Sequence, residues 1–172
     1  MLKSVICFSI ILLSSILGYS FGERYKRRVY SLRELRRAVL QLQNEILYTY
    51  TPLPEAIEHV YEKSSGDIKM FFFDLADILR KGSCESVYIA YTAAYKSHCD
   101  KLFLSSSDEL LLSDLFKSLG EVDIIGHEKI FNLFLETVKG PIEESEELMK
   151  KNLKMYRYLG VCVGLGIVII IL

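Results

Sequence analysis

Residues 45–57 read EILYTYTPLPEAI, and the fold turns on how this stretch is read. Before it, Leu32, Leu35, Val39, Leu42 and Ile46 recur at steps of three and four, the stripe of an amphipathic helix. Pro52 disfavours helical geometry at Thr51 and has no N–H to donate, so the helix ends there. Pro54 suits the first turn of a new helix, with Glu55 near its positive end. The chain has three prolines, and two of them set this one corner. A helix–corner–helix start, with few β-branched residues in the first stripe, predicts an all-α domain.

Working outward, Ser31 and Glu34 form an S-x-x-E pattern, which predicts the first helix to start at Ser31. Arg33, Arg36 and Arg37 fall off its stripe and read as a solvated face near anionic lipid headgroups. After the corner, Ala56, Ile57, Val60 and Tyr61 mark a short second helix. Residues 64–67, SSGD, read as a turn. Ile68, Phe72, Leu75 and Leu79 stripe a third helix, widened by Phe71 and Ile78, and the run Phe71–Phe73 reads as core. Lys81-Gly82 is a stop signal, with Ser83 placed to cap the next helix. Tyr88, Tyr91 and Tyr95 share one face of a fourth helix and read as core with hydroxyls reaching water. Residues 105–109, SSSDE, start a fifth helix with Leu112, Leu115, Phe116 and Leu119 as its stripe, ending at Gly120. Residues 120–128 read as a connector, and Ile130, Phe131, Phe134 and Val138 stripe a sixth helix that meets Gly140-Pro141. Residues 142–158 read as an exposed stalk, with Glu146–Lys150 and Glu147–Lys151 as i,i+4 pairs. The expectation is a compact six-helix bundle.

The two ends differ from this middle. Residues 4–22 contain no charge, and at about 1.5 Å per residue they match a bilayer core of roughly 30 Å. The apolar stretch 159–172 is shorter and needs residues 155–158 to complete a crossing. The expected organisation is a transmembrane helix at 1–22, a cytoplasmic helical domain with stalk at 23–157, and a transmembrane helix at 158–172. Gly18-Tyr19-Ser20 offers a signal-peptide cleavage pattern, but the basic run Arg24, Lys26, Arg27, Arg28 follows at once and favours a retained anchor. Lys150, Lys151, Lys154 and Arg157 flank the second segment, so both basic flanks place the middle in the cytoplasm. Gly18-x-x-x-Gly22 and Gly160-x-x-x-Gly164 permit close packing of these segments, within one chain or between chains of a homo-oligomer.

Charge and motif content bound the chemistry. The net charge is −1, and removing Lys3, the one charge outside 23–157, leaves −2 on the middle. That is no nucleic-acid surface. His59, His98 and His127 lie on separate segments, and Cys84, Cys99 and His98 lack zinc-site spacing. No phosphate-binding, nucleophile-elbow or zinc-protease motif is present. The reading is a protein that is not an enzyme, with no cofactor and no metal.

The pattern E-I-x-Y-x-x-T-P-L-x-E-A, carried by Glu45, Ile46, Tyr48, Thr51, Pro52, Leu53, Glu55 and Ala56, is specific. With ERYKRR, LRKGS around Gly82, and L-G-x-x-D at Leu119, Gly120 and Asp123, it resembles the stage III sporulation protein AB family of endospore-forming bacteria over essentially the whole chain. Members often carry glutamine where this chain has His127. The resemblance implies a cytoplasmic domain similar to that of the type II secretion inner-membrane F protein. It implies a membrane platform in the channel, or feeding tube, between mother cell and forespore. The partners so implied are the AA ATPase of the same operon, other membrane and ring components, and membrane lipid, with no nucleic acid. A regulatory or sensory module that binds a ligand or controls another membrane protein is the alternative. Glu45, Glu55 and Asp123 are candidates for partner contacts or for tethers between helices.

Overall fold

The computed structural model describes the backbone of residues 2–82, 84–120, 124–152 and 155, and side chains of 23–82, 84–120, 126–152 and 155. Six helices follow in order: α1 (Leu2–Leu47), α2 (Leu53–Lys63), α3 (Gly66–Arg80), α4 (Val87–Leu102), α5 (Ser106–Leu119) and α6 (Ile124–Thr137). Among the described residues there is no strand. The chain divides into two compact units. One comprises residues 1–29 and 143–172, the other residues 30–142.

Unit 30–142 holds the core. The α1 stripe Leu32, Leu35, Val39, Leu42 and Ile46 is buried, as its spacing predicts. It joins Ala56, Ile57 and Val60 of α2, and Ile68, Phe71, Phe72 and Leu75 of α3. Ala90, Tyr91, Ala94 and Tyr95 of α4, Leu112, Leu115 and Phe116 of α5, and Phe131 and Phe134 of α6 complete one cluster. Each fully buried Leu or Phe contributes about 1.5–3 kcal/mol. Helix α3 packs on α2 and α4, and α5 on α4 and α6. Helix α1 is tied to α6 by Gln43, whose amide donates to Asn132 Oδ1 at 3.0 Å. Aromatic rings fill the centre. Tyr91 stacks on Phe116 with centroids 4.9 Å apart, and Phe71 meets both edge-on at 6.2 and 6.4 Å.

Several local expectations need correction. Ser31 does not start a helix, because α1 runs unbroken through it from Leu2. No proline or glycine follows Gly22 until the corner, so nothing ends the helix upstream of Ser31. Glu34 instead reaches across to α3. Its carboxylate accepts from the Ser65 backbone N–H at 3.0 Å and the Ser65 hydroxyl at 2.9 Å, with Arg37 at 2.6 Å. Ser65 is the N-cap of α3 and makes no cap with its own side chain, so Glu34 satisfies the orphan donor from outside. Gly66 follows with φ +61°, and a Cβ there would sit 3.2 Å from the Tyr30 ring.

Helix α4 is capped by Ser86, whose hydroxyl accepts from Ile89 N–H, and not by Ser83, which lies outside the described residues. Gly82, in contrast, takes the left-handed conformation a helix stop requires, with φ +61°. Helix α5 starts within 105–109 as predicted, and there Ser105 and Asp108 form a reciprocal capping box that the sequence reading did not name. The connector after Gly120 is shorter than its composition suggests, since α6 begins at Ile124 and includes Gly126 and His127. Helix also resumes at 139 and runs through Pro141 to 152. Pro141 sits in the first turn of that stretch, where a missing N–H is tolerated. Phe73 is 43% exposed, unlike its two neighbours, because three consecutive helical positions cannot share one face.

The tyrosine face is deeper than predicted. Tyr91 is 3% exposed, and its hydroxyl is buried without a hydrogen-bond partner. Burial pushes the Tyr91 phenol far above the ordinary tyrosine range. Burial, with Glu109 nearby, pushes Tyr95 up to about 12. Only Tyr88, 38% exposed, keeps its ring at the surface.

Among the described residues no helix is long and apolar enough to cross a membrane. The side chains of 1–22, and residues 156–172, lie outside the described residues, so both predicted spans fall there. The packing glycines Gly18, Gly22, Gly160 and Gly164 fall there with them.

Candidate functional site

The proline corner is built from the end of α1 upward. Tyr48 N–H and Thr49 N–H both donate to Asn44 O, at 3.1 and 3.3 Å, tightening the last turn. Thr49 Oγ1 donates to Glu45 O at 2.9 Å, and Thr51 N–H donates to the same carbonyl at 3.0 Å. The orphan carbonyls of the helix end are thus partly satisfied within the corner itself. Tyr50 lies in the left-handed region at φ 53°, which for a non-glycine residue costs about 1–2 kcal/mol. Pro52 caps α2 with φ −56° and ψ 143°, and its carbonyl accepts from Ala56 N–H at 2.9 Å. Pro54 stands in the first turn, as predicted.

Glu45 clamps the corner. Its Oε2 lies 2.9 Å from His59 Nδ1 and accepts from Thr51 Oγ1 at 3.4 Å. Its Oε1 lies 3.6 Å from Lys63 Nζ. A carboxylate can only accept, so His59 Nδ1 carries the proton. Gln41 adds a second strut, donating to His59 O at 3.0 Å. The bond to His59, with Lys63 beside it, holds the Glu45 carboxyl below the ordinary carboxylate value. The same bond raises His59 above the ordinary imidazole value.

The eight pattern residues therefore sort into two sets. Glu45, Ile46, Thr51 and Ala56 face inward or hold the turn, with Ala56 fully buried and Leu53 packed against the core. Tyr48, Pro52 and Glu55 face outward, and Tyr48 is 75% exposed. Tyr50, between them, is 73% exposed. Corner and clamp hold these rings at the surface without covering them.

The other sequence candidates are not brought to the corner by any described contact. Leu119 is core, and Gly120 ends α5 with ordinary φ, where an added Cβ would sit 3.7 Å from Val87 Cβ. Gly82 is exposed and ends α3. Asp123 lies outside the described residues. Sequence reading missed His59, Gln41 and Lys63 as clamp partners, and it assigned Glu34 to capping its own helix where it caps α3. His98 Nε2 lies 2.6 Å from Asp74 Oδ2, while its Nδ1 is buried without a partner. Both ring nitrogens of His127 are buried without partners. Cys84 and Cys99 are free thiols, and no metal-binding group of His, Cys, Asp or Glu exists among the described residues.

The family model described as Stage III sporulation protein AB matches residues 3–172. The chain belongs to the stage III sporulation protein AB family. Stage III sporulation protein AB of Bacillus subtilis (strain 168) is 28% identical over 172 residues, covering all of both chains. A solved structure of stage III sporulation protein AB (SpoIIIAB) superposes with TM-score 0.66 at 28% identity. It covers 72% of this chain and 96% of that one. Among stage III sporulation AB proteins, then, this chain shares both sequence and the all-helical fold.

Proposed function

We propose that the chain is a non-enzymatic membrane platform of the sporulation channel between mother cell and forespore. The two apolar ends anchor it in the mother-cell membrane, and the central domain faces the cytoplasm, where it docks the AA assembly ATPase. The observation that carries this reading is the corner. Its family-diagnostic residues build a braced turn that presents Tyr48 and Tyr50 at 75% and 73% exposure. Exposed tyrosines on a fixed turn suit recognition, because they offer large contact area at low entropic loss. The ionisable groups at the corner, Glu45, His59 and Lys63, are engaged with one another as a brace, which suits docking better than catalysis.

Photo-cross-linking tests the proposal. A photoreactive residue at Tyr48 or Tyr50, in sporulating cells, should capture the ATPase or a ring component. The same residue at Leu110, also exposed, serves as control. Capture at neither corner position, with normal protein levels, would shift the reading to a ligand-binding regulatory module. A cytoplasm-sensitive reporter at Ser105 checks the topology, and an inactive reporter there would invert it.

A further inference from the structure

Helix α1 carries two groups of cations, at 24–28 and at 33–37. The first follows directly on the uncharged stretch 4–22. Arg24, Lys26, Arg27 and Arg28 stand there against one acid, Glu23, a net of +3. Glu23 meets Lys26 only loosely, at 3.7 Å, and Lys26 stays 59% exposed. Arg24 and Arg27 are exposed as well. The other apolar stretch repeats the pattern in sequence. Lys154 and Arg157 are the last charges before it, and no acid follows Glu147.

Position along α1 separates the two groups. The helix is unbroken from Leu2 to Leu47. At a rise of about 1.5 Å per residue, Arg24–Arg28 lie about 3–9 Å beyond Gly22, and Arg33–Arg37 about 16–22 Å. The headgroup layer on each side of a bilayer is about 5–8 Å thick. A helix tilted by about 40° still leaves Arg33 about 13 Å out, beyond the Debye length of about 8 Å at physiological salt. Arg37 is also held by Glu34 at 2.6 Å. The first group therefore reaches headgroups and the second does not, which corrects the sequence expectation for Arg33, Arg36 and Arg37.

We propose that Arg24, Lys26, Arg27 and Arg28 form a collar that binds anionic lipid headgroups through their phosphodiester charge. Guanidinium groups engage phosphate oxygens through two N–H groups at once. Each cation at an anionic surface favours binding about fivefold at low salt. A zwitterionic headgroup brings its own cation and offers no net charge to match. The proposal rests on the reading of 4–22 as a membrane anchor, and it names the lipid that the anchor selects.

The test uses the full chain reconstituted in phosphatidylcholine vesicles, with spin-labelled phosphatidylglycerol or phosphatidylcholine as the probe. Electron paramagnetic resonance measures the fraction of each label that the protein restricts. The glycerol lipid should associate at least threefold better than the choline lipid in about 0.05 M sodium chloride. The ratio should fall toward one in about 1 M salt, where the Debye length is about 3 Å. Replacing chloride by inorganic phosphate at equal ionic strength should lower it no further. Arg24→Gln, Lys26→Gln and Arg27→Gln together should at least halve the preference. Arg33→Gln, Arg36→Gln and Arg37→Gln together should leave it unchanged. Equal restriction of the two labels in the wild type overturns the proposal and leaves the anchor standing. So does a preference insensitive to salt, one displaced specifically by phosphate, or one lost with the second set and kept with the first. No restricted component from either label would sink the anchor itself, so the two readings fail in different ways.

Discussion

Truncating Glu34 to alanine should destabilise the domain more than any other single change to a charged residue in α1. The carboxylate is 4% exposed and accepts two bonds from Ser65. A hydrogen bond to a charged group is worth about 1.5–3 kcal/mol net. The two bonds are not additive, because Ser65 is exposed and water replaces part of the loss. The Arg37 pair adds little, since that guanidinium is 71% exposed. A total of about 2–4 kcal/mol follows, or roughly 5–15 °C in Tm for a chain of this size. Glu34→Gln keeps one acceptor and should lose about half as much. Urea unfolding followed by circular dichroism measures both. The decisive arm is a double-mutant cycle. Glu34→Ala should couple to Ser65→Ala by about 1 kcal/mol and to Ser31→Ala by close to zero. Coupling to Ser31 instead would restore the sequence-level capping box. A loss below about 0.5 kcal/mol would refute the account of Glu34 as an external cap.

Three further outcomes are expected. Tyr91→Phe removes a buried hydroxyl without a partner, so it should be neutral or raise stability by up to about 1–2 kcal/mol in the same urea assay. Gly82→Ala forces a side chain into φ +61°, with nothing within 4 Å to clash, and should cost about 1 kcal/mol from backbone strain alone. The Glu45–His59 clamp should be pH-dependent. His59 is raised above 6.5, so its contribution is full below that value and fades as pH rises through its folded value. Glu45 is lowered from 4.5, so its contribution is full above that value and fades as pH falls through its folded value. The stability gap between the wild type and His59→Gln should therefore be larger at about pH 5.5 than at about pH 8.5. A gap independent of pH would show that the pair contributes nothing in solution.

Helix class, the core stripes and the corner were set by the sequence. Apolar spacing at three and four, two prolines beside Thr51, Gly82 after Lys81 and the Ser105–Asp108 box act over a few residues. Local sterics and local hydrogen bonds decide them without knowledge of the fold. What Glu34, Ser31, Phe73, Tyr91 and His59 do was decided by tertiary structure. Glu34 meets Ser65 across 31 positions, and Glu45 meets His59 across 14. The same S-x-x-E letters can cap their own helix or leave the glutamate free to cap another. Only the packing of α1 against α3 selects between them. Tyr91 shares its helical face with Tyr88, yet one is sealed between Phe71 and Phe116 and the other is not. Periodicity tells which face turns inward. The depth of that face depends on which helices arrive to cover it, and so does the partner that meets each polar atom there.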